Sequence, residues 1–337
     1  MFDISSLTMT EIIRLQNQLQ QELTRRFERP LALAFSDIVG STAYFARFGD
    51  AAGRQLQQLH FDLLAECIGS AGGRVVDTAG DGAFLVFAQA GAAVDGARAL
   101  QNATARANEG RGRQQQLVLR IGLHWGRVLS DGSAVSGDAV NLCARVAASA
   151  QPGELRLTRP LFQELQREHR LNCRSLGDAA LPGFAEPIEL LTLDWRDPAL
   201  FPRSLVIEET QERVNLPRQD IVAFGRLQEH NGVHANDIVL THPDPALQRQ
   251  ISRWHFELRR TEHGMHLVAL SDSGTTVDGR SVERGGTAPV RAASRIGVAG
   301  VLTLRLQGPE GPASQADDNS TMMLAGPARG LPTGYDG

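Results

Sequence analysis

The chain has 337 residues, of which 42% are hydrophobic and 21% charged, and its formal net charge is -4. This length favours two compact domains. The negative net charge and the lack of a basic stretch argue against nucleic acid as the main partner. All 34 basic residues are arginine, which excludes mechanisms that require a lysine ammonium, including Walker-type phosphate loops, kinase chemistry and Schiff-base catalysis.

The start of the chain lacks a basic stretch followed by an apolar run, and no uncharged segment is long enough to span a bilayer. We therefore expect a cytoplasmic protein without a membrane partner. The three cysteines, Cys67, Cys143 and Cys173, are spaced unlike a metal-ligand set and indicate free thiols in a reducing compartment.

An amphipathic helix is predicted over Met9–Phe27, within an N-terminal segment of residues 1–30 that ends at Pro30. Its apolar positions recur at three- and four-residue spacing: Ile12, Leu15, Leu19 and Leu23. This stripe either pairs with its copy in a dimer or packs against the helix's own domain.

Residues 31–197 alternate apolar runs, such as LALAF, FLVF and LVLRIGL, with helical stretches at 53–70 and 92–108. The alternation predicts an α/β domain with a mixed sheet. Pro198 and Pro202 mark a short connector, after which short strands separated by turn residues predict an all-β sandwich over residues 198–307. Residues 308–337 are rich in Gly, Pro and polar residues, which predicts a disordered tail.

Two carboxylates stand at predicted strand ends in the first domain. Asp37 follows the apolar strand LALAF, and Asp81 lies in the turn of the hairpin VVDTAGDGAFLVF. Exposed carboxylates of this kind suit Mg²⁺ or Mn²⁺, and a metal pair can support phosphoryl transfer. The alternative is that Asp37 caps the following helix and Asp81 only forms the turn.

Asn141 and Arg145 lie four residues apart in the predicted helix of GDAVNLCARVAASA, and therefore on one helical face. An arginine can neutralise charge on a transferred phosphoryl group, and an asparagine amide can hold a ribose oxygen. The alternative is an ordinary pair of exposed helix residues.

Four motifs in order resemble class III adenylate and guanylate cyclases over residues 31–195. FSDIVGST is similar to the first metal-binding segment and TAGDGAFLVF to the second. LRIGLHWGRV is similar to the strand pair between the motifs, and GDAVNLCARV to the helix that stabilises the transition state. The resemblance implies an α+β, ferredoxin-like domain with a mixed sheet.

The resemblance also implies a head-to-tail homodimer that converts ATP or GTP into a cyclic nucleotide, by attack of the ribose 3′-hydroxyl on the α-phosphorus. Asp37, Ile38 and Asp81 of one chain would bind two Mg²⁺ or Mn²⁺ ions per active site. Asn141 and Arg145 of the other chain would be the catalytic residues. The positions implied for substrate binding are Gly40, Ser41, Thr42, Asp77, Arg120 and Ala134.

Three family positions carry unusual residues. Asp77 and Ala134 replace the lysine and aspartate that read adenine, and Pro182 replaces a lysine that contacts the triphosphate. A carboxylate at residue 77 complements the donors of guanine, but Ala134 cannot donate to the guanine carbonyl; Ser133 and Ser136 are candidate substitutes. The alternative function is a catalytically degenerate dimeric scaffold that acts as a phospho-dependent binding module.

The motifs FGR, NDIVL, ISRWHFEL and SDSGTTVDG, over residues 205–307, resemble a forkhead-associated (FHA) domain, a β-sandwich that binds phosphothreonine. The residues implied to contact or brace the phosphopeptide are Arg226, Ser252, Arg253, His255 and Ser273. The ligand would be another protein or Thr321 of the chain's own tail, which precedes Leu324 by three residues. The alternatives are a sandwich without a ligand and an unmodified tail.

Overall fold

The computed structural model describes residues 7–197, 200–230, 233–261 and 264–308. Pro198 and the predicted tail from residue 309, including Thr321, lie outside these ranges. The helices are α1 (Met9–Phe27), α2 (Ser41–Ser70), α3 (Ala90–Ala107), α4 (Asp138–Ser149), α5 (Arg159–Glu164), α6 (Arg167–Arg170) and α7 (Pro245–Gln248), with a short 3-10 helix at Arg113–Gln115. None of the described helices is long and apolar enough to cross a membrane.

The strands of the first domain are β1 (Glu28–Ile38), β2 (Gly73–Ala79), β3 (Gly82–Phe87), β4 (Leu119–Ser130), β5 (Val135–Ser136), β6 (Leu155–Thr158), β7 (Cys173–Ala179) and β8 (Ile188–Leu193). The strands of the second domain are β9 (Ser204–Ile207), β10 (Glu212–Asn215), β11 (Ile221–Gly225), β12 (Glu229–His230), β13 (Val233–His234), β14 (Ile238–Val239), β15 (Phe256–Thr261), β16 (Gly264–Ala269), β17 (Thr275–Val277), β18 (Arg280–Val282), β19 (Thr287–Val290), β20 (Arg295–Val298) and β21 (Leu302–Gln307).

The first domain is built on one sheet in the order β2-β3-β1-β4-β6-β8-β7, with β5 paired to β4. Neighbouring strands are antiparallel except β4 and β6, which run parallel, so the sheet is mixed as predicted. The succession β1-α2-β2-β3-α3-β4 has the ferredoxin-like order, which places the end of β1 beside the β2–β3 turn.

Two elements of this domain differ from their predictions. The helix expected from residue 53 begins at Ser41, because the residues on both sides of a kink at Gly49 are helical; the φ of Gly49 itself is +82°. The expected strand pair in LRIGLHWGRV is the single strand β4, which pairs with β1 along the whole length from Glu28 to Ile38.

The N-terminal helix α1 occupies the predicted residues and begins with a capping box between Thr8 and Glu11. It ends at Phe27, and β1 begins at the next residue, so Pro30 lies in a strand. Pro30 faces only β4, since β3 pairs with β1 from Ala32 onward. No residue of α1 is buried, so its apolar stripe is not covered by its own domain.

The second domain is a β-sandwich, as predicted. One sheet has the order β10-β9-β21-β20-β17-β18 and the other β14-β11-β15-β16-β19, with β12 and β13 as a separate hairpin. Alternate residues of both sheets form one apolar core; its largest fully buried side chains are Phe224 and Phe256, whose rings stack at 4.5 Å.

The two domains share a polar interface. Arg113, after α3, donates to Oδ1 of Asp237 at 2.7 Å, and Asn108 donates to Oδ2 of Asp220 at 2.9 Å. Arg196, just before the connector, also pairs with Asp220, and the two side chains are only 13% and 12% exposed. A charge removed from this interface would leave its partner desolvated and unpaired.

Candidate functional site

The two residues predicted to bind metal, Asp37 and Asp81, lie near each other at the same end of the first sheet. The ladder between β1 and β3 ends at the pair Ser36 and Ala83, and Asp37 and Asp81 lie just beyond it. A Cβ placed on Gly82 would lie 3.7 Å from Oδ1 of Asp37, so the turn passes close to that carboxylate. Asp37 and Asp81 are therefore neighbours because of the register of β1 and β3, and not because they are close in the sequence.

Arg120 binds the first of these carboxylates. It lies opposite Asp37 on β4, and its Nε and Nη2 donate to Oδ2 of Asp37 at 2.8 and 2.5 Å. Its Nη1 donates to the carbonyl of Ala148 at 3.1 Å. The Arg120 guanidinium, predicted to bind the substrate, thus serves here as the counter-charge of Asp37.

The segment of Gly40, Ser41 and Thr42 joins β1 to α2. Gly40 adopts the left-handed conformation, with φ of +72°, and turns the chain into the helix. No side chain caps the helix, so N–H groups of the first turn are free to bind an anion. These donors follow Asp37 by only a few residues.

A cleft of about 620 Å³ lies beside the carboxylates. It is lined by both Asp77 and Ala134, the positions implied to read the purine, together with apolar residues such as Val140. Phe35 and Phe84 form one wall, with their rings stacked at 4.7 Å. This aromatic wall was not predicted, because an aromatic residue within an apolar strand ordinarily indicates core.

The loop that carries Ala134 is held by Asp131. Its Oδ1 accepts from Ser133 N and Ala134 N, both at 2.8 Å, and from Ser133 Oγ at 2.9 Å. These donors lower the pKa of Asp131 to about 2, with the Ala134 N–H as the largest cause. The hydroxyl of Ser133 is therefore engaged, whereas Ser136 is exposed; Pro182 is exposed in the turn before β8.

Asn141 and Arg145 lie together on the outer face of α4, whose inner face buries Cys143 and Val146. Both side chains are exposed, and neither has a hydrogen-bond partner among the residues that the structure describes. Among the described residues, no hydrogen bond or ion pair joins them to Asp37. The single chain therefore brings together the metal and purine positions but leaves the Asn–Arg pair outside that group.

The predicted phosphopeptide residues surround a pocket of about 320 Å³ at one end of the sandwich. Arg226 directly follows β11, and its N–H donates to the carbonyl of Ser252 at 3.0 Å. Gly225 permits this approach, because a Cβ there would lie 2.2 Å from the carbonyl oxygen of Arg253. Arg226, Ser252 and Arg253 all line the pocket.

His255 and Ser273 support this pocket rather than line it. His255 is fully buried; its Nδ1 accepts from Ser252 N and its Nε2–H donates to the carbonyl of Gly274, both at 3.3 Å. Burial lowers the pKa of His255, which favours this neutral form. The hydroxyls of Ser252 and Ser273 lie 2.7 Å apart. His255 thus links the loop of Ser252 to the backbone at Gly274.

Sequence reasoning missed two arginines of the pocket. Arg249 and Arg284 also line it, and Arg284 pairs with exposed Asp272 at 3.2 Å. They come from separate loops, so no local spacing connects them with Arg226. The pocket as a whole is strongly cationic.

Comparisons with known proteins agree with this description. The model of the adenylate and guanylate cyclase catalytic domain matches residues 25–193, and the FHA domain model matches residues 222–299. A putative adenylate cyclase 3 of Rhizobium meliloti (strain 1021) is 26% identical over 199 residues, 59% of this chain and 34% of the relative. An adenylate cyclase of Glutamicibacter nicotianae is 30% identical over 165 residues, 47% of this chain and 38% of the relative.

The chain thus spans little more than a third of the length of these curated relatives. Among solved structures, an adenylate cyclase from Trypanosoma brucei in its monomeric state is 23% identical and covers 49% of this chain and 90% of that chain, with a TM-score of 0.45. Because the catalytic-domain model matches half of the sequence, the chain belongs to the adenylate and guanylate cyclase family, and it carries an FHA domain after the cyclase domain.

Proposed function

We propose that this protein is a nucleotidyl cyclase that forms a 3′,5′-cyclic nucleotide and pyrophosphate from ATP or GTP. The observation that carries the proposal is the placement of Asp37 and Asp81 at the same end of the β1–β3 ladder, beside a cleft whose volume, about 620 Å³, can hold a nucleobase. The relatives from Rhizobium meliloti and Glutamicibacter nicotianae are named as a putative adenylate cyclase and an adenylate cyclase, which agrees with this reaction.

The carboxylates of Asp37 and Asp81 and the backbone carbonyl of Ile38 would hold two Mg²⁺ or Mn²⁺ ions. Hard oxygen ligands suit these cations. Among the described residues no group of three or more His, Cys, Asp or Glu side chains could hold a metal ion, and phosphate oxygens of the nucleotide or water would supply the further ligands. When bound, the ions would make the ribose 3′-hydroxyl more acidic and neutralise the leaving pyrophosphate.

The first turn of α2 and Arg120 are the groups positioned to bind the triphosphate. Free N–H groups at Ser41 and Thr42 would donate to phosphate oxygens at a helix N-terminus. Once cations neutralise the Asp37 carboxylate, the Arg120 guanidinium would leave it and bind a phosphate group of the nucleotide. The planar guanidinium can donate two hydrogen bonds to either a carboxylate or a phosphate.

Asn141 and Arg145 would complete the active site of a second copy in a head-to-tail homodimer. Their exposure and lack of partners within the described chain support this assignment. The apolar stripe of α1 offers a further contact between copies, since Ile12, Leu19 and Leu23 are 42%, 57% and 43% exposed.

Purified protein incubated with Mn²⁺ and either ATP or GTP, followed by chromatographic separation of the products, tests the proposed reaction. We expect a cyclic nucleotide, with GTP the better substrate because Asp77 can accept from the guanine N1–H and amino group. Product from neither nucleotide would refute the enzyme and favour the degenerate scaffold, which the lack of a side-chain donor at Ala134 also supports.

The FHA domain would bind phosphothreonine through Arg226, Ser252 and Arg253. Converging guanidinium and hydroxyl donors can form charge-assisted hydrogen bonds with a phosphate dianion. A peptide of residues 315–327 with phosphorylated Thr321, titrated by calorimetry against the unmodified peptide, tests whether the chain reads its own tail. Binding of neither peptide would end the tail hypothesis.

A further inference from the structure

His60 connects the two metal-binding segments from beneath the sheet. It lies on α2 and is fully buried. Its Nε2 lies 3.0 Å from Oγ of Ser36, the residue before Asp37, and its Nδ1 lies 3.1 Å from the backbone carbonyl oxygen of Asp81. One imidazole therefore contacts both segments, at the residue before Asp37 and at the backbone of Asp81.

The partners determine how the ring is protonated. A carbonyl oxygen can only accept, so Nδ1 carries the hydrogen and donates to Asp81. Nε2 is then unprotonated and accepts the hydroxyl hydrogen of Ser36. Both ring nitrogens of a neutral His60 are thus satisfied, and the geometry of the two bonds fixes the ring between the strands.

The ladder between β1 and β3 does not extend to the two carboxylate residues. Backbone pairing of β1 with β3 ends at Ser36 and Ala83, one residue before Asp37. Beyond that pair, the hydrogen bonds of His60 to Ser36 and to the Asp81 carbonyl connect the two segments in place of a further backbone pair. Since Ser36 is also buried, with 1% of its surface exposed, water does not compete for this connection.

We propose that His60 is a positioning residue for the metal site: it sets the separation of Asp37 and Asp81 without touching metal or nucleotide. The inference rests on the proposed metal-dependent reaction. It adds a residue that bonds to the segments carrying the two carboxylates and not to the carboxylates themselves. Partners that orient metal ligands in this way typically change metal affinity by about 10- to 100-fold when replaced.

The test measures Mn²⁺ affinity by electron paramagnetic resonance, in the full-length protein with a 3′-deoxynucleoside triphosphate, which lacks the attacking hydroxyl. His60→Leu removes both hydrogen bonds and should weaken Mn²⁺ binding about 10-fold or more. His60→Gln keeps one donor and one acceptor on a planar amide and should restore most of the affinity. Urea denaturation of each variant verifies that it is folded.

His124→Leu is the matched control. His124 is also buried on this sheet, 6% exposed, and its Nδ1 lies 2.8 Å from Oγ1 of Thr158. It pairs with Leu33, four residues or about 13 Å along β1 from Asp37. It should lose stability but keep its Mn²⁺ affinity.

Equal Mn²⁺ affinity in His60→Leu and the parent protein would overturn the inference, as would equal losses in His60→Leu and His124→Leu. Failure of His60→Gln to restore binding would also count against it. A parent protein that binds no Mn²⁺ with either 3′-deoxy-ATP or 3′-deoxy-GTP would refute the proposed function, and the inference with it.

Discussion

The stability of the cyclase domain should fall steeply between pH 6.5 and pH 4. Burial lowers the pKa of His60 and of His124 from 6.5 to about 4. In this window the unfolded chain binds a proton at each histidine and the folded chain does not. The free energy of unfolding therefore decreases as the pH falls, and this loss is complete only below the folded pKa.

The magnitude follows from the number of protons taken up on unfolding. Each histidine contributes a slope of up to about 1.4 kcal/mol per pH unit inside the window, so the pair contributes about 3 kcal/mol per pH unit. That slope is large beside a typical domain stability of about 5–15 kcal/mol. Asp131, with its pKa near 2, loses its favourable hydrogen bonds only below this window.

The assay is urea unfolding followed by tryptophan fluorescence at several pH values from 7 to 4.5. A Trp254→Phe background leaves Trp125 and Trp195, which both pack against the core of the first domain. His124→Leu should reduce the slope by about half. Equal slopes of unfolding free energy against pH in His124→Leu and its parent would refute the reasoning. Burial raises the pKa of Asp194, which changes the slope in the opposite direction. This contribution is the same in both proteins and cancels when their slopes are compared.

Three further outcomes are expected. Asp220→Ala leaves the largely buried Arg196 without its counter-charge and should lower the free energy of unfolding by about 3–5 kcal/mol, measured in urea, whereas a change under about 1 kcal/mol would contradict a structural ion pair. Asp77→Asn should lower kcat/KM for GTP about tenfold and spare ATP, measured by product formation; equal effects would exclude a role in reading the base. Arg226→Ala should abolish phosphopeptide binding in fluorescence anisotropy, whereas Arg249→Ala should weaken it more at low than at high salt, and unchanged affinity in both would contradict the pocket assignment.

Much of the fold follows from local sequence patterns. Apolar runs separated by helical periods predict the mixed sheet, and the turn containing Gly80 and Asp81 predicts the β2–β3 hairpin. The order of motifs also predicts both domains, which the family models confirm. The start of α2 was predicted too late, because Gly49 interrupts an otherwise helical pattern.

The contacts behind the site could not be predicted in the same way. His60 appears in the sequence as one polar residue of an amphipathic helix, and only the packing of α2 under the sheet brings it to Ser36 and Asp81. The pairing of Arg120 with Asp37 depends on the register of β1 and β4. Both are long-range consequences of topology, which a local pattern does not encode.

The central claim is that each active site takes its carboxylates from one chain and its Asn–Arg pair from another. Co-expression of Asp81→Asn with Arg145→Ala tests it most directly, because each variant alone should form no cyclic nucleotide. Random pairing makes half the dimers mixed, each with one intact site, so about a quarter of the parent activity should return. As the matched control, Asp81→Asn with Asp37→Asn damages both sites of every dimer and should stay inactive. A mixture of Asp81→Asn and Arg145→Ala as inactive as that control, from a parent protein that forms product, would contradict the account.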